Sequence, residues 1–203
     1  MTCATLVWPT AFRRTVLPTV EPLSLAEAKA YLRVTEADQD VEIAALLAAA
    51  RARAEGYLER ALLTQTWEAR LDGFWGGADL LLPYPNLLAI TSIKYHADET
   101  DALTTVDASV YEADLVNVPG RVRLKPLQEW PTPYARAGAV QVLYTAGYGA
   151  TAAAVPTSVL QAVRLLLAHY DRHREAVVMG TISSELPEGI KALLELERVP
   201  WND

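Results

Sequence analysis

The chain has 203 residues, with 18 lysines and arginines against 25 aspartates and glutamates, so its formal net charge is −7. This length predicts one elaborated domain or two small ones, and the acidic balance disfavours general affinity for nucleic acid, which carries charge of the same sign. Hydrophobic residues make up 51% and charged residues 21% of the chain, proportions typical of ordered globular proteins.

The sequence also argues against three familiar routes to function. No apolar run reaches the roughly 18 residues that a membrane span requires. No basic region precedes an apolar stretch near the N-terminus, so we expect a cytoplasmic product without a membrane partner. Cys3 is the only cysteine, which leaves neither an internal disulfide nor a cysteine cluster for zinc or iron–sulfur chemistry.

The first third of the chain predicts an arm followed by two helices. Residues 1–23 contain three prolines and no sustained period, as in an extended N-terminal arm. Ser24 and Glu27 have the spacing of a capping box, which predicts the start of the first helix. Acidic residues within 35–40 then predict a longer helix that runs to about Leu62. Its apolar stripe consists of Ile43, Leu47, Ala50, Ala54, Tyr57 and Ala61.

The pattern changes at Thr64 to short runs of β-branched and aromatic residues separated by turn residues. Strands are expected near 65–71, 78–82, 89–95, 109–114, 121–125 and 139–145. Helical period returns after Pro156, and a short last helix follows Pro187. Residues 176–186 between these two helices are typical of a loop.

This order predicts an α+β fold, a helical bundle with a β-rich insertion between its second and third helices. The expected parts are the arm at 1–23, the bundle at 24–62 and 155–198, the insertion at 63–154 and a C-terminal tail at 199–203. From their spacing, the expected bundle core contains Ile43, Leu47, Tyr57, Val163 and Leu166.

Motifs that would carry chemistry are incomplete. His169 and His173 lie four residues apart on a predicted helix, but Tyr170 occupies the position of a zinc protease's glutamate and no third ligand is indicated. The Gly-Tyr-Gly sequence at 147–149 lacks the rest of a phosphate loop, so a tight turn is the better interpretation. We therefore expect no catalytic residue, no metal and no cofactor.

Charged residues cluster on two predicted helices. On the second helix, basic and acidic residues alternate, which predicts an exposed ion-pair lattice. Its members are Arg51, Arg53, Glu55, Glu59 and Arg60. The third helix carries a more basic group that could contact a partner protein or a nucleic-acid backbone. Of these two, DNA is the less favoured. The members of this group are Arg164, His169, Arg172, His173 and Arg174.

Several short stretches between residue 20 and about 198 form an ordered series. They are Leu23-Ser24-Leu25, Ala28-Lys29, Leu32-Arg33-Val34, Asp38 with Asp40, Ala49-Ala50-Arg51, Glu55 with Tyr57, Leu62, Thr64-Gln65-Thr66-Trp67, Leu71-Asp72, Leu82-Pro83-Tyr84-Pro85, Ile90 to Tyr95, Tyr144 to Gly149, Pro156 and Arg174-Glu175. In this order they resemble the head-to-tail connector, or adaptor, proteins of long-tailed phages, prophages and gene transfer agents.

The resemblance implies a non-enzymatic structural subunit, made in the bacterial cytoplasm and located in the virion neck. It implies a dodecameric ring that docks under the portal protein and leads to a stopper or tail-terminator protein. Double-stranded DNA would pass through its channel without specific binding. The alternative is a tail-completion protein or another virion interaction module, with a small enzyme of unknown type the less favoured choice.

The C-terminal segment is the expected portal-docking element. Its partner-binding candidates are Ile190, Leu193, Leu194, Leu196, Val199 and Trp201. Terminal residues are usually frayed and polar unless a partner or the fold holds them, and tryptophan is enriched at interface hot spots. Connectors of the resembled kind commonly reach their portal through a terminal segment.

Overall fold

The structure is a computed structural model that describes residues 6–74, 79–100, 102–173 and 186–199. Within these ranges the chain is mixed α+β, as expected, with two sheets. It divides into two compact units, which we call the β unit and the helical unit. The β unit comprises Met1–Leu17 and Thr64–Gly147, and the helical unit comprises Pro18–Leu63 and Tyr148–Asp203.

The helices of the helical unit follow the predicted starts. They are α1 (Leu25–Leu32), α2 (Asp40–Leu58), α3 (Thr157–Arg172) and α4 (Glu188–Glu195), with a 3-10 turn at Ala152–Ala154. The capping box is confirmed, because the Glu27 amide donates to the Ser24 hydroxyl and the Glu27 carboxylate accepts from the Ser24 amide. Helix α2 ends before Leu62, since Glu59 adopts a left-handed backbone conformation with φ of 52°.

The core of the helical unit lies between α2, α3 and α4. Its buried side chains include Ile43, Leu46, Leu47, Ala50, Ala54, Leu58, Val159, Ala162, Val163, Leu166, Leu167, Ile190 and Leu194. The predicted core is therefore confirmed for Ile43, Leu47, Val163 and Leu166. Tyr57 is only partly buried and packs at the margin of this cluster.

The ion pair predicted on α2 is confirmed between Arg51 and Glu55, but these two residues and Arg60 are buried rather than exposed. Arg51 donates from Nε to Glu21, 2.7 Å away, and from Nη1 to Glu55, 2.8 Å away. The second oxygen of Glu55 accepts from the backbone amide of Leu62. The chain before α1 covers this side of α2 and brings Glu21 onto it, which no helix-face pattern can indicate.

Burial of Arg51 disfavours its charged form, but the hydrogen bond that Arg51 donates to Glu21 and the charges of both carboxylates outweigh this effect and raise the pKa of Arg51. The guanidinium therefore stays charged. Removing either partner of such a buried pair would leave an uncompensated charge, which is strongly destabilising.

The strands of the β unit form two sheets. They are β1 (Leu6–Val7), β2 (Ala11–Val16), β3 (Gln65–Leu71), β4 (Asp79–Leu81), β5 (Leu87–His96), β6 (Leu103–Thr105), β7 (Tyr111–Asp114), β8 (Arg121–Leu124) and β9 (Val140–Ala146). One sheet has the order β2-β3-β9-β5-β6, and all its neighbouring strands are antiparallel. The other has the order β1-β4-β8-β7, in which β1 and β4 are parallel.

All six predicted strands are present with small shifts at their ends, whereas β1, β2 and β6 were not predicted. Two charged residues, Arg13 and Arg14, interrupt the apolar pattern of β2. Pairing with β3 stabilises β2, and there Arg13 lies opposite Glu68 and forms a 2.9 Å ion pair with it. Strand β6 is too short to give a recognisable alternation.

Replacing Leu47 by alanine is expected to lower the free energy of unfolding by about 2 to 5 kcal/mol, because the side chain is nearly inaccessible and its removal leaves a cavity between helices. Val41→Ala on the same helix is the matched control, since Val41 is 85% exposed. Urea unfolding of both variants measures the difference. Equal stabilities for the two would contradict this core.

Candidate functional site

The C-terminal docking candidates fall into two groups in the structure. Ile190 and Leu194 are buried in the core of the helical unit, and Val199 beyond the helix is buried as well. Leu193 is partly buried against the same core, whereas Leu196 is 72% exposed. Trp201 lies outside the described residues. Among the candidates that the structure describes, Leu196 alone is largely exposed.

Polar contacts fix the segment that follows α4. Arg60 donates from Nε to the Glu197 carbonyl oxygen and Tyr148 donates from its hydroxyl to the Glu197 carboxylate, both at 3.1 Å. The guanidinium of Arg198 lies over the ring of Tyr57, 5.5 Å from its centroid. Burial and the neighbouring Glu197 carboxylate raise the pKa of Tyr148 to about 12, so its hydroxyl remains a donor. Leu196 is therefore presented from a well-anchored stretch.

His169 of α3 and His173 just after it contact one another. Their ring centroids are 4.6 Å apart, and Nδ1–H of His173 donates to the carbonyl oxygen of His169, 2.8 Å away. Burial and the neighbouring His173 lower the pKa of His169. Across the described ranges no group of three or more His, Cys, Asp or Glu side chains could hold a metal ion. Arg174, from the basic group on this helix, lies outside the described residues.

The Gly-Tyr-Gly sequence forms a turn at the end of β9, as expected. Gly147 has φ of 142° and donates from its amide to the Asn86 carbonyl oxygen. A Cβ atom on Gly149 would lie 2.7 Å from the Cβ of Ala154, closer than side chains tolerate. Both glycines are thus explained by backbone geometry and close packing.

A projecting hairpin between β7 and β8 presents apolar side chains that the sequence analysis did not single out. Val116 is 89% exposed, and Leu115 and Val118 are also exposed. Asp114 holds this tip, since it accepts from the amides of Val116 and Asn117. The signal available in the sequence was the mostly apolar stretch between Asp114 and the Pro119-Gly120 turn, which predicts an apolar hairpin tip.

The hairpin is anchored by a chain of ion pairs. Arg121 bridges Asp114 and Asp79, at 2.9 and 3.1 Å. Arg123 forms a bidentate pair with Asp79, which is almost fully buried. Burial opposes ionisation of Asp114, but hydrogen bonds from Asn117 and Arg121 outweigh it and hold its pKa well below the usual range. The apolar tip is thereby pre-organised.

Exposed apolar side chains also occur along the first strands of the β unit. They are Leu6, Trp8, Phe12, Val16 and Leu17. Phe12 packs against Tyr84, which in turn stacks on Trp67 with ring centroids 4.1 Å apart. These residues make the β2 edge an aromatic and partly apolar surface, as expected of an interaction site.

The described residues therefore define a protein of two compact units with exposed apolar edges, the class of subunits that assemble with other chains. No helix in the described ranges has the length and apolar character needed to cross a bilayer. The profile of a family described as head completion protein (HCP) matches residues 21–198. The chain belongs to this family.

Three solved structures of gene transfer agent (GTA) particles contain similar chains. The chain in the neck of an empty particle computed with C6 symmetry is 26% identical, with a TM-score of 0.77, covering 95% of this chain and 97% of that one. The virion of the native particle gives 26% identity and a TM-score of 0.72 over the same shares. The chain in the native neck computed with C12 symmetry is 25% identical, with a TM-score of 0.65, covering 93% of this chain and 97% of that one. No curated protein matches the chain significantly.

The ion pairs of Asp79 predict an acid-sensitive β unit. Hydrogen bonds from Arg123 and the charges of both arginines lower the pKa of Asp79 below its unfolded value of about 3.9. The carboxylate therefore contributes stability above about pH 4, and this contribution is lost as pH falls through the folded pKa.

Asp79→Asn is expected to be less stable than the parent chain at pH 7 and to lose less stability between about pH 4 and pH 2. Thermal unfolding as a function of pH measures both effects, with Asp38→Asn at an exposed position of the helical unit as control. Parallel pH profiles for the parent and Asp79→Asn would refute this role of the ion pairs.

Proposed function

We propose that this chain forms a dodecameric ring between the portal protein and a stopper or tail-terminator protein. It is a structural head-to-tail connector subunit of the virion neck. The observation that carries this conclusion is the combination of membership in the head completion protein family with similarity to a GTA neck chain along 95% of this sequence. The sixfold and twelvefold symmetries applied to the similar necks support a closed ring.

In this proposal the helices form one bundle, and the β-rich region is an insertion between the second and third of them. The bundle supplies the docking segment, because α4 and the anchored stretch after it belong to the helical unit. The β unit supplies exposed edges for neighbouring chains. Each role rests on shape and surface, and the connector we propose is not an enzyme.

The charge of the chain suits a wall along which DNA moves. A net charge of −7 in each copy gives a ring whose field does not hold the phosphate backbone. We therefore propose that double-stranded DNA passes through the ring without specific binding. Neither a membrane nor a cofactor takes part in this function.

The C-terminal segment remains our proposed contact with the portal, but its buried and exposed residues have different roles. Ile190, Leu194 and Val199 hold the segment in place, and Leu193 packs beside them. Leu196 and Trp201 are the proposed portal contacts. Because Val199 is buried, a truncation that tests docking has to end after it.

Two variants test this docking. Leu196→Asp and a chain that ends at Val199 are each expected to keep the melting temperature within a few degrees of the parent and to lose attachment to portal-bearing heads. Leu127→Asp is the matched control, since Leu127 is a fully exposed leucine of the β unit. Co-sedimentation with purified heads, followed by imaging of their necks, measures attachment.

Normal attachment of both variants would rule out the C-terminal segment as the docking element. Failure of the parent chain itself to attach to heads, together with attachment to tails, would identify a tail-completion module instead.

A further inference from the structure

The five-stranded sheet of the β unit ends in two strands that each have a neighbour on one side only. Strands β2 and β6 occupy the two ends of the order β2-β3-β9-β5-β6 among the described residues. An edge strand presents backbone amide and carbonyl groups that can pair with another chain. The two edges of this sheet differ from one another in side chains and in charge.

At the β2 edge, the apolar core of the sheet ends at an uncovered side chain. Phe12 pairs with Ala69, Ala69 with Val142, and Val142 with Ile93, so these residues form one row on the same face of the sheet. The three inner members are inaccessible to solvent, whereas Phe12 is 50% exposed. A strand placed beside β2 would cover Phe12, the last exposed side chain of this row.

The two edges also differ in the charges around them. The β2 edge holds Arg13 and Arg14, with Arg70 beside them on β3, and Arg13 and Arg70 both pair with Glu68. The β6 edge has Lys94 beside it on β5 and is flanked by acidic residues that are all exposed. They are Asp98 and Glu99 in the turn before β6 and Asp107 after it. Opposite charges of this kind steer association and set its register.

Strand direction fixes how two copies can join. Because every neighbouring pair in this sheet of five strands is antiparallel, β2 and β6 run in the same direction. A second copy added in the same orientation therefore places its β2 parallel to β6 of the first. This contact uses two different surfaces of each copy, which is the heterologous type that closes into rings.

We propose that β2 of one copy pairs in parallel with β6 of the next, so that the five-stranded sheet continues across the boundary between copies. This inference deepens the proposed ring and rests on it. In the joined sheet, Phe12 is covered by the neighbouring copy, and with Ala11 opposite Thr105 the side chain of Arg13 lies beside Asp107. Parallel pairing over the short β6 supplies few backbone hydrogen bonds, so the aromatic and ionic contacts contribute to each junction as well.

Disulfide trapping tests this contact. Ala11 and Thr105 lie at opposite ends of one transverse row, through Arg70, Gln141 and Lys94, and therefore on the same face. Cysteines at adjacent positions of paired strands are within the separation that a disulfide needs. In a Cys3→Ser background, Ala11→Cys is combined with Thr105→Cys or with Leu103→Cys, which covers two registers on that face.

Oxidation of the full chain, both concentrated in solution and bound to portal-bearing heads, is expected to give covalent trimers and longer ladders in at least one of the two combinations. Each single-cysteine variant gives dimers at most, because one site cannot extend a chain. Val41→Cys with Ala52→Cys is the control pair of exposed positions in the helical unit. Ladders no stronger than those of this control, in both settings, would overturn the proposal.

Charge reversal provides a second readout. Asp107→Lys, combined with Ala11→Cys and Thr105→Cys, is expected to reduce the rate of ladder formation by at least about tenfold at low salt, because Asp107 lies beside Arg13 in that register. An unchanged rate would contradict the charged register. Attachment of the parent chain to heads is measured separately. If the chain attaches but forms no ladders, only the proposed contact between β2 and β6 is contradicted. If it forms ladders but does not attach, the proposed role as a portal connector is contradicted.

Discussion

The buried contact of Arg51 with Glu21 and Glu55 is the constraint on which the helical unit depends. It ties the chain before α1 to the centre of α2, and Glu55 extends it to the amide of Leu62, where the chain leaves the helical unit for β3. Helix α2 is thus held by the paired charges on this side and by the apolar core on another. Its neighbours are then placed by packing against a fixed helix.

The β unit uses the same physical device for another purpose. Asp79 is buried and paired with Arg121 and Arg123, and Arg121 passes the contact on to Asp114 at the base of the exposed hairpin. Paired charged side chains thus fix the hairpin that carries the exposed apolar side chains. A surface that is already ordered loses less conformational freedom on binding, which favours assembly from separate subunits.

In the proposed role, the chain contacts copies of itself and the portal protein. The proposed surfaces for these tasks are separate: the sheet edges belong to the β unit and the segment around Leu196 belongs to the helical unit. Substitutions in one unit are therefore expected to affect only one of the two proposed contacts. Polar anchoring of Glu197 by Arg60 and Tyr148 allows Leu196 to stay exposed without loosening the helix that carries it.

Local spacing in the sequence was sufficient for features whose partners are near in the chain. The capping box of Ser24 and Glu27, the apolar stripe of α2 and six strands depend on such spacing, and the ordered series of short stretches indicated the family. Tertiary structure alone decided that Arg51 and Glu55 are buried, that β2 exists, and that Ile190 is covered whereas Leu196 is not. Each of these depends on groups far away in the chain, such as Glu21 for Arg51 and β3 for β2, and a local pattern carries no information about which distant segment will lie against it.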